Sequence, residues 1–543
     1  MPQANTTTSF ELYPLSDLQT ITVKYSVRLF LFLYILICFA PLLFLGLIST
    51  KTVLAEGISL FKLAIPTGRR LVLFAKTIGL SFLVATCGTG VGILGSGILW
   101  FSQERKTKLL KYLVWLVLLL PPYTYVLCWN IPVDWLNMAT KKLSLTPLNF
   151  RGFFATWWVE TMVFAPVALV LSLIGFESID SLVIDSARVL KDDLAAFVKV
   201  AIPLTFPQIF SGWSFIFVFS LLTFSIPSLL FVQTYPLEIF SLFSANNNPV
   251  EVFFFSLPLL IVAFLIIYLA LQGLRSSFTR NRFRTVWNVH PDLPGWLNLL
   301  FLSAISLVAI QIILPFATLS ASIKSVQTIL SAVASAHREI FFTLFISFLT
   351  SIFWIPLALA TAVHLKNVRR GKVMWWFLII APFAIPPQLT GIGLIGIWNH
   401  PMMLPVYGSI MMPVMGNLAR FLPVATLVTY AWLTNIDPVL FEASLIYQPY
   451  LLQRIIKINA PILAPGLISS SVFVFILSSG ELATTLLVVP PGKSTLTIKI
   501  YNYLHYGTSE TVAALSFVMI WIVLSLIVIF GLLMKRWKYM WSK

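Results

Sequence analysis

VFFFSLPLLIVAFLIIYLALQG, residues 252–273, runs for 22 residues without one charged side chain. A helix of that length spans about 33 Å at 1.5 Å per residue, against a bilayer hydrocarbon core of about 30 Å. The stretch therefore reads as a transmembrane helix. Five comparable runs precede it: Val27–Ser49, Leu71–Phe101, Leu110–Val133, Phe154–Gly175 and Ile209–Val232. Six follow: Leu299–Leu319, Phe341–His364, Trp375–Asn399, Met411–Leu433, Gly466–Val489 and Val512–Met534. The fold class predicted is all-α, a polytopic membrane protein of about twelve spans. About 25 polar residues precede the first run, so it reads as a retained span and not as a cleaved signal.

Composition agrees. Charged residues make up 10% of the 543 and hydrophobic ones 59%, whereas a soluble domain carries about 25% charged. A chain this apolar has too little polar surface to face water, so its solvent is the lipid bilayer. The net charge of +17 is spread over short clusters between apolar runs, which is the pattern of cytoplasmic loops and not of a nucleic-acid surface. Arg105/Lys106/Lys108, Arg275/Arg280/Arg282/Arg284, Lys366/Arg369/Arg370/Lys372 and Lys535/Arg536/Lys538 fall on one side of a twelve-span topology. That side is the cytoplasm, and both termini share it. Lys51, Lys62, Arg69 and Arg70 lie in the first external loop, against the rule. Cys38, Cys87 and Cys128 sit inside apolar runs and define no disulfide framework. The five histidines show no metal-ligand spacing, and no cofactor is predicted.

The chain repeats itself. Phe164-Ala-Pro166-Val167-Ala168 returns as Phe421-Leu-Pro423-Val424-Ala425, a shift of 257. At the same shift Ile179-Asp180 meets Ile436-Asp437, and Asp185-Ser186-Ala187 meets Glu442-Ala443-Ser444. Pro203-x-x-x-Pro207 meets Pro461-x-x-x-Pro465 at a shift of 258, and Pro121-Pro122…Trp129-Asn130 echoes Pro386-Pro387…Trp398-Asn399 with a looser gap. The organisation predicted is a first six-span half over 1–274, a cytoplasmic linker over 275–297 and a second six-span half over 298–543. Six is even, so the halves run in parallel orientation.

Between the fourth and fifth spans of each half lies a segment too polar to cross the membrane, over 185–203 and 442–461. Its apolar residues, such as Leu194, Phe197, Val198 and Ala201, recur at helical spacing. This predicts a short amphipathic helix on the cytoplasmic face, begun by an acid and ended by the proline. Two such helices offer two equivalent docking points to a two-fold partner.

Glu442-Ala443-Ser444…Ile458-x-Ala460-Pro461 resembles the E-A-A-x3-G-x9-I-x-L-P loop of permeases of binding-protein-dependent ABC importers. Asp185-Ser186-Ala187-Arg188-Val189-Leu190 resembles its start, one residue shorter before Pro203. Both copies lack the glycine, with Lys191 and Gln448 in its place. Gly480-Glu481-Leu-Ala-Thr-Thr-Leu and Pro490-Pro491-Gly492…Thr495-Leu496 look like the fused two-domain permeases of the iron(III)-uptake branch. The resemblance covers nearly all twelve expected spans. It implies a transport subunit and not an enzyme, housed in a bacterial inner membrane. Two cytoplasmic ATPase subunits would dock on the coupling segments, and an external solute-binding protein would deliver iron(III) or another small solute. The ATPase-coupling residues it implies are Asp185, Ser186, Ala187, Lys191 and Pro203, with Glu442, Ala443, Ser444, Gln448 and Pro461.

Three ionisable residues lie within spans and are pathway candidates, since charge in a membrane is expensive: Glu160, Arg420 and Glu481. Glu160 and Arg420, on equivalent spans, either pair with each other or each hydrogen-bond a neighbouring helix. Gly90-x-Gly92-x-x-Gly95 matches a dinucleotide-binding pattern but sits inside an apolar run with no strand before it, where small residues serve helix packing. The chain has no G-x-x-x-x-G-K-[ST], hence no P-loop of its own. The alternative architecture is a secondary transporter with two parallel six-helix halves, which leaves the duplicated cytoplasmic segment without a purpose.

Overall fold

The computed structural model describes residues 17–56, 62–101, 105–142, 146–279, 293–448, 450–506 and 510–541. Among them there are helices and no strand. In the N-terminal half of the chain these are α1 (Asp17–Glu56), α2 (Arg69–Phe101), α3 (Arg105–Leu119), α4 (Thr124–Lys142), α5 (Phe153–Glu177), α6 (Ser181–Leu190), α7 (Asp193–Ala196), α8 (Ile202–Leu222), α9 (Ser225–Leu229), α10 (Tyr235–Asn246) and α11 (Pro249–Thr279). In the C-terminal half they are α12 (Gly295–Ser322), α13 (Val326–Asn367), α14 (Lys372–Ile380), α15 (Pro387–Trp398), α16 (Leu404–Tyr407), α17 (Met411–Thr434), α18 (Pro438–Tyr447), α19 (Leu451–Arg454), α20 (Ala460–Ser479), α21 (Thr485–Val488), α22 (Leu496–Tyr506) and α23 (Glu510–Trp541). Most of the linker expected over 275–297 lies outside the described residues.

The protein is an all-α, multi-pass membrane protein. Among the described residues ten continuous helices are long and apolar enough to cross a bilayer, and an eleventh crossing is made if Lys372–Ala384 and Pro387–Trp398, bent by 92°, count as one. Large apolar side chains face outward, as a lipid solvent requires. On α1, Leu29, Phe32, Leu36, Leu43 and Leu47 are exposed while Tyr34, Cys38 and Leu45 are buried.

The third expected span, Leu110–Val133, is not one helix. It breaks at Pro121-Pro122 into α3 and α4, as the ninth breaks before Pro386-Pro387. Proline has no N–H to continue the ladder, and it drives the residue before it out of the helical region. The breaks form where the looser sequence echo falls.

Packing follows a doubled pattern. Helices α2, α5 and α8 contact one another, and so do α13, α17 and α20. The first helix of each half crosses to the other: α1 packs on α13 and α15, and α12 packs on α2 and α4. A long-range hydrogen bond joins α1 to α14, beside its crossing, and another joins α4 to α12. Tyr34 donates to the Ile379 carbonyl at 3.2 Å, and the Trp129 indole donates to Gln311 at 3.2 Å. Likewise Tyr235 N–H donates to the Thr77 hydroxyl at 2.9 Å, and Leu496 N–H to the Thr343 hydroxyl at 2.8 Å.

The glycine motif in α2 is a packing surface. A Cβ on Gly92 would stand 2.8 Å from the Leu169 nitrogen of α5, whereas one on Gly90 would meet nothing within 4 Å. The basic first loop also finds partners: Arg69 lies 3.2 Å from the Gln233 side chain and 3.9 Å from Glu238, and Arg70 donates to the Leu63 carbonyl.

Candidate functional site: two end helices and a central cavity

The duplicated polar segments form matching structures. In each, a ten-residue helix, α6 or α18, starts on an aspartate whose carboxylate accepts the N–H two residues on. Asp180 takes Leu182 N–H and Asp437 takes Val439 N–H, both at 3.0 Å. These caps are the Ile-Asp pairs of the repeat. The expected start is thereby corrected: Asp185 and Glu442 are the fifth residues of their helices, exposed, and the favourable interaction with the helix N-terminus belongs to Asp180 and Asp437.

The expected end is corrected as well. The chain turns at Lys191 and at Gln448, not at the prolines. After the turn, α7 runs through a π-helical turn, 197–201, into α8, and α19 runs through its own, 455–459, into α20. Pro203 and Pro461 are the second residues of α8 and α20. Each lacks the N–H that would have closed the α-helical bond to the residue four before it, and the wider π turn sits there. Lys191 and Gln448 have φ of −149° and −136°, extended conformations open to any residue, so no glycine is needed at this turn.

Ser186 and Ala443 are outward-facing or nearly so, Ala187 is half-buried, and Ser444 is buried with its hydroxyl on the Phe441 carbonyl at 2.7 Å. Residues that the sequence reading passed over stand out further. Val189 and Leu190 are 88% and 83% exposed, and Ile446 and Tyr447, at the shift of 257, are 81% and 84% exposed. Their signal in the sequence was the repeat itself, carried three residues past the acid-Ala/Ser motif. Around this apolar pair the copies differ. Near α6 an Arg188–Asp193 ion pair closes at 2.6 Å, and near α18 Gln448 donates to Gln453 at 2.9 Å. Two lysines, one of them from the basic cluster at Lys366, have partners near these segments. Lys111 pairs with Glu177 at 2.8 Å, at the end of α5, and Lys366 donates to the Leu433 carbonyl at 2.9 Å and lies 5.9 Å from the Phe441 ring centre.

Within the helical body Glu160 and Arg420 do not pair. The Ser220 hydroxyl donates to Glu160 at 2.5 Å and also lies 3.3 Å from the Ser81 hydroxyl, tying α2, α5 and α8. At the repeat shifts of 257 and 258, Glu160 becomes Asn417 and Ser220 becomes Ser478, and the Asn417 amide donates to the Ser478 hydroxyl at 2.5 Å. One helix-to-helix hydrogen bond has been built twice from different acceptors and donors. Arg420 instead reaches Glu481, through its Nη1 to one carboxylate oxygen. The other oxygen of Glu481 accepts the Thr484 N–H at 2.8 Å.

This pair lines a cavity of about 270 Å³ walled by both chain halves. Pro121, Pro122, Phe164 and Phe219 face it from one side, Pro387, Phe421 and Leu477 from the other. Among the described residues lining it, Arg420 and Glu481 are the only charged ones. Among the described residues no group of three His, Cys, Asp or Glu is placed to hold a metal ion. No known protein-family profile and no curated protein matches this chain.

Proposed function

We propose that this chain is the membrane-spanning permease subunit of an ATP-driven importer, with twelve crossings in two six-span halves. Counting α3 with α4 and α14 with α15 as one broken crossing each gives that number. The reciprocal packing of α1 and α12 supports two copies related by a two-fold axis, with the cavity between them as the solute path. The observation that carries the reading is the pair of end helices. In both, an aspartate-capped ten-residue helix presents an acid and then two adjacent, almost fully exposed apolar residues at identical repeat positions. Large apolar side chains at the water-facing end of a membrane protein mark a contact surface, and two equivalent ones suit a two-fold partner. Cytoplasmic ATPase subunits, two per chain, fill that role, and their closure on ATP turns the spans that α7–α8 and α19–α20 continue into the membrane. An external solute-binding protein supplies iron(III) or another small solute from the opposite face of a bacterial inner membrane.

The test is ATP hydrolysis by reconstituted protein. The chain alone shows none above background, and hydrolysis appears with the ATPase subunit and rises when loaded binding protein is added. Hydrolysis by the purified chain at the rate of the complex contradicts the reading.

A further inference from the structure

Resting on that reading of the cavity as a solute path, we infer that it is a binding site for a single oxyanion group, a carboxylate or inorganic oxyanion, recognised by Arg420 together with Thr223 and Ser225. Each oxygen of the Glu481 carboxylate has a partner, one Arg420 and the other the Thr484 N–H. The guanidinium is less fully engaged. Among the described residues only Nη1 is hydrogen-bonded, the guanidinium carbon lies 5.6 Å from the Phe421 ring centre, and the side chain is 30% exposed. A guanidinium presents five N–H donors in a planar fork suited to carboxylate and other oxyanions.

Facing this pair, the residues at the repeat shift of 258 from Glu481 and Ala483 are Thr223 and Ser225. Both line the cavity, and among the described residues neither side-chain hydroxyl has a hydrogen-bond partner. The cavity thus offers unused donors from both sides, in walls otherwise apolar apart from Tyr123, whose hydroxyl is turned to the Met519 sulfur. A bare cation finds no free carboxylate there, so a metal cargo would pass as an anionic chelate. The site is one-sided. The residue equivalent to Arg420 at the shift of 257 is Val163, so one anionic group is held and not two. Glu481 is a positioning residue: it offsets the cost of an arginine in the membrane and fixes the fork.

The experiment titrates the full chain in nanodiscs with citrate, phosphate and sulfate at constant ionic strength, with methylammonium as the cationic control, reading tryptophan fluorescence and the thermal midpoint. At least one oxyanion binds the parent saturably and methylammonium does not. Arg420→Gln weakens binding by tenfold or more, the loss of a charge-assisted contact. Thr223→Val, which keeps the side-chain shape, weakens it severalfold with the thermal midpoint unchanged. Glu481→Gln tightens it, because a competing negative charge is gone; an ion pair that only clips α17 to the α20–α21 break predicts no such gain, and this arm stands even if Arg420→Gln fails to fold. The inference is overturned if no oxyanion binds the parent or Glu481→Gln, if methylammonium binds instead, or if Arg420→Gln and Thr223→Val bind as the parent does. Absent anion binding beside intact ATPase docking rejects this site alone; anion binding without docking rejects the importer and leaves the site.

Discussion

Replacing Gly393 with alanine tests the crossing of the first helix onto the opposite half of the chain. Gly393 lies in α15 against Pro41 of α1, and a Cβ built there stands 2.3 Å from the Pro41 carbonyl oxygen and 2.6 and 2.7 Å from its carbonyl carbon and Cα. Ordinary contact begins at 3.4 Å, so the two backbones must separate by about 1 Å. No rotamer relieves the clash, since every opposing atom is main chain. One turn on, a Cβ at Gly396 would meet the Phe44 ring at 2.3 Å, so the helices cannot simply slide past each other. Overpacking of this kind costs about 1–3 kcal/mol, and the rigid partner places Gly393→Ala near the upper end. The gain in helix propensity returns up to about 1 kcal/mol, leaving a net loss of about 2. Gly90→Ala is the control, because nothing lies within 4 Å of its Cβ, and it gains the propensity term alone. The pair should differ by about 3 kcal/mol, roughly two orders of magnitude in an unfolding equilibrium. Equilibrium unfolding in mixed micelles measures this directly. Equal stabilities for Gly393→Ala and Gly90→Ala refute the packing of α1 on α15.

Charge reversal at Asp185 or Glu442 should lower partner-stimulated ATP hydrolysis and uptake while leaving membrane insertion and stability intact, because neither acid caps its helix; Asp180→Ala, by contrast, should cost about 1 kcal/mol of local stability through the lost cap. If both reversals transport like the parent, these helices are anchors and not docking elements. Ser220→Ala should destabilise by about 1–3 kcal/mol, since the second oxygen of Glu160 already has no partner and the carboxyl would be left unsatisfied. Ser478→Ala strands the Asn417 amide, whose oxygen likewise has no partner among the described residues, and should cost less because an amide is cheaper to leave unsatisfied than a carboxyl; equal losses measured by unfolding would show that the two junctions are energetically alike.

Much of this architecture is legible in the chain because a bilayer imposes one dominant rule, long apolar runs, and because the sequence repeat marks several structural features twice. The Ile179-Asp180 and Ile436-Asp437 match proved to be a pair of helix caps, and Pro203 and Pro461 each follow a matching π-helical turn by two residues. What the sequence left open was contact between remote residues. Arg420 selects Glu481 over Glu160 because α17 and α20 are neighbours, a relation that hydropathy does not encode. The broken crossings were misjudged for a local reason. Apolar residues continue through Pro121-Pro122 and Pro386-Pro387 without a polar interruption, so the hydropathy stays high while the backbone ladder ends. The helix start was placed at the motif's acid when the cap lay five residues earlier.

The central claim is that α6 and α18 seat two copies of one ATPase subunit. The most direct measurement is photo-crosslinking from Leu190 and Tyr447, the matched exposed residues that end the two helices, in native membranes, with the captured protein identified by mass spectrometry. The account predicts that both positions capture the same P-loop-containing subunit, and that outward-facing Leu36 on α1 captures none. Capture from neither position, or from Leu36 as readily as from the end helices, contradicts it.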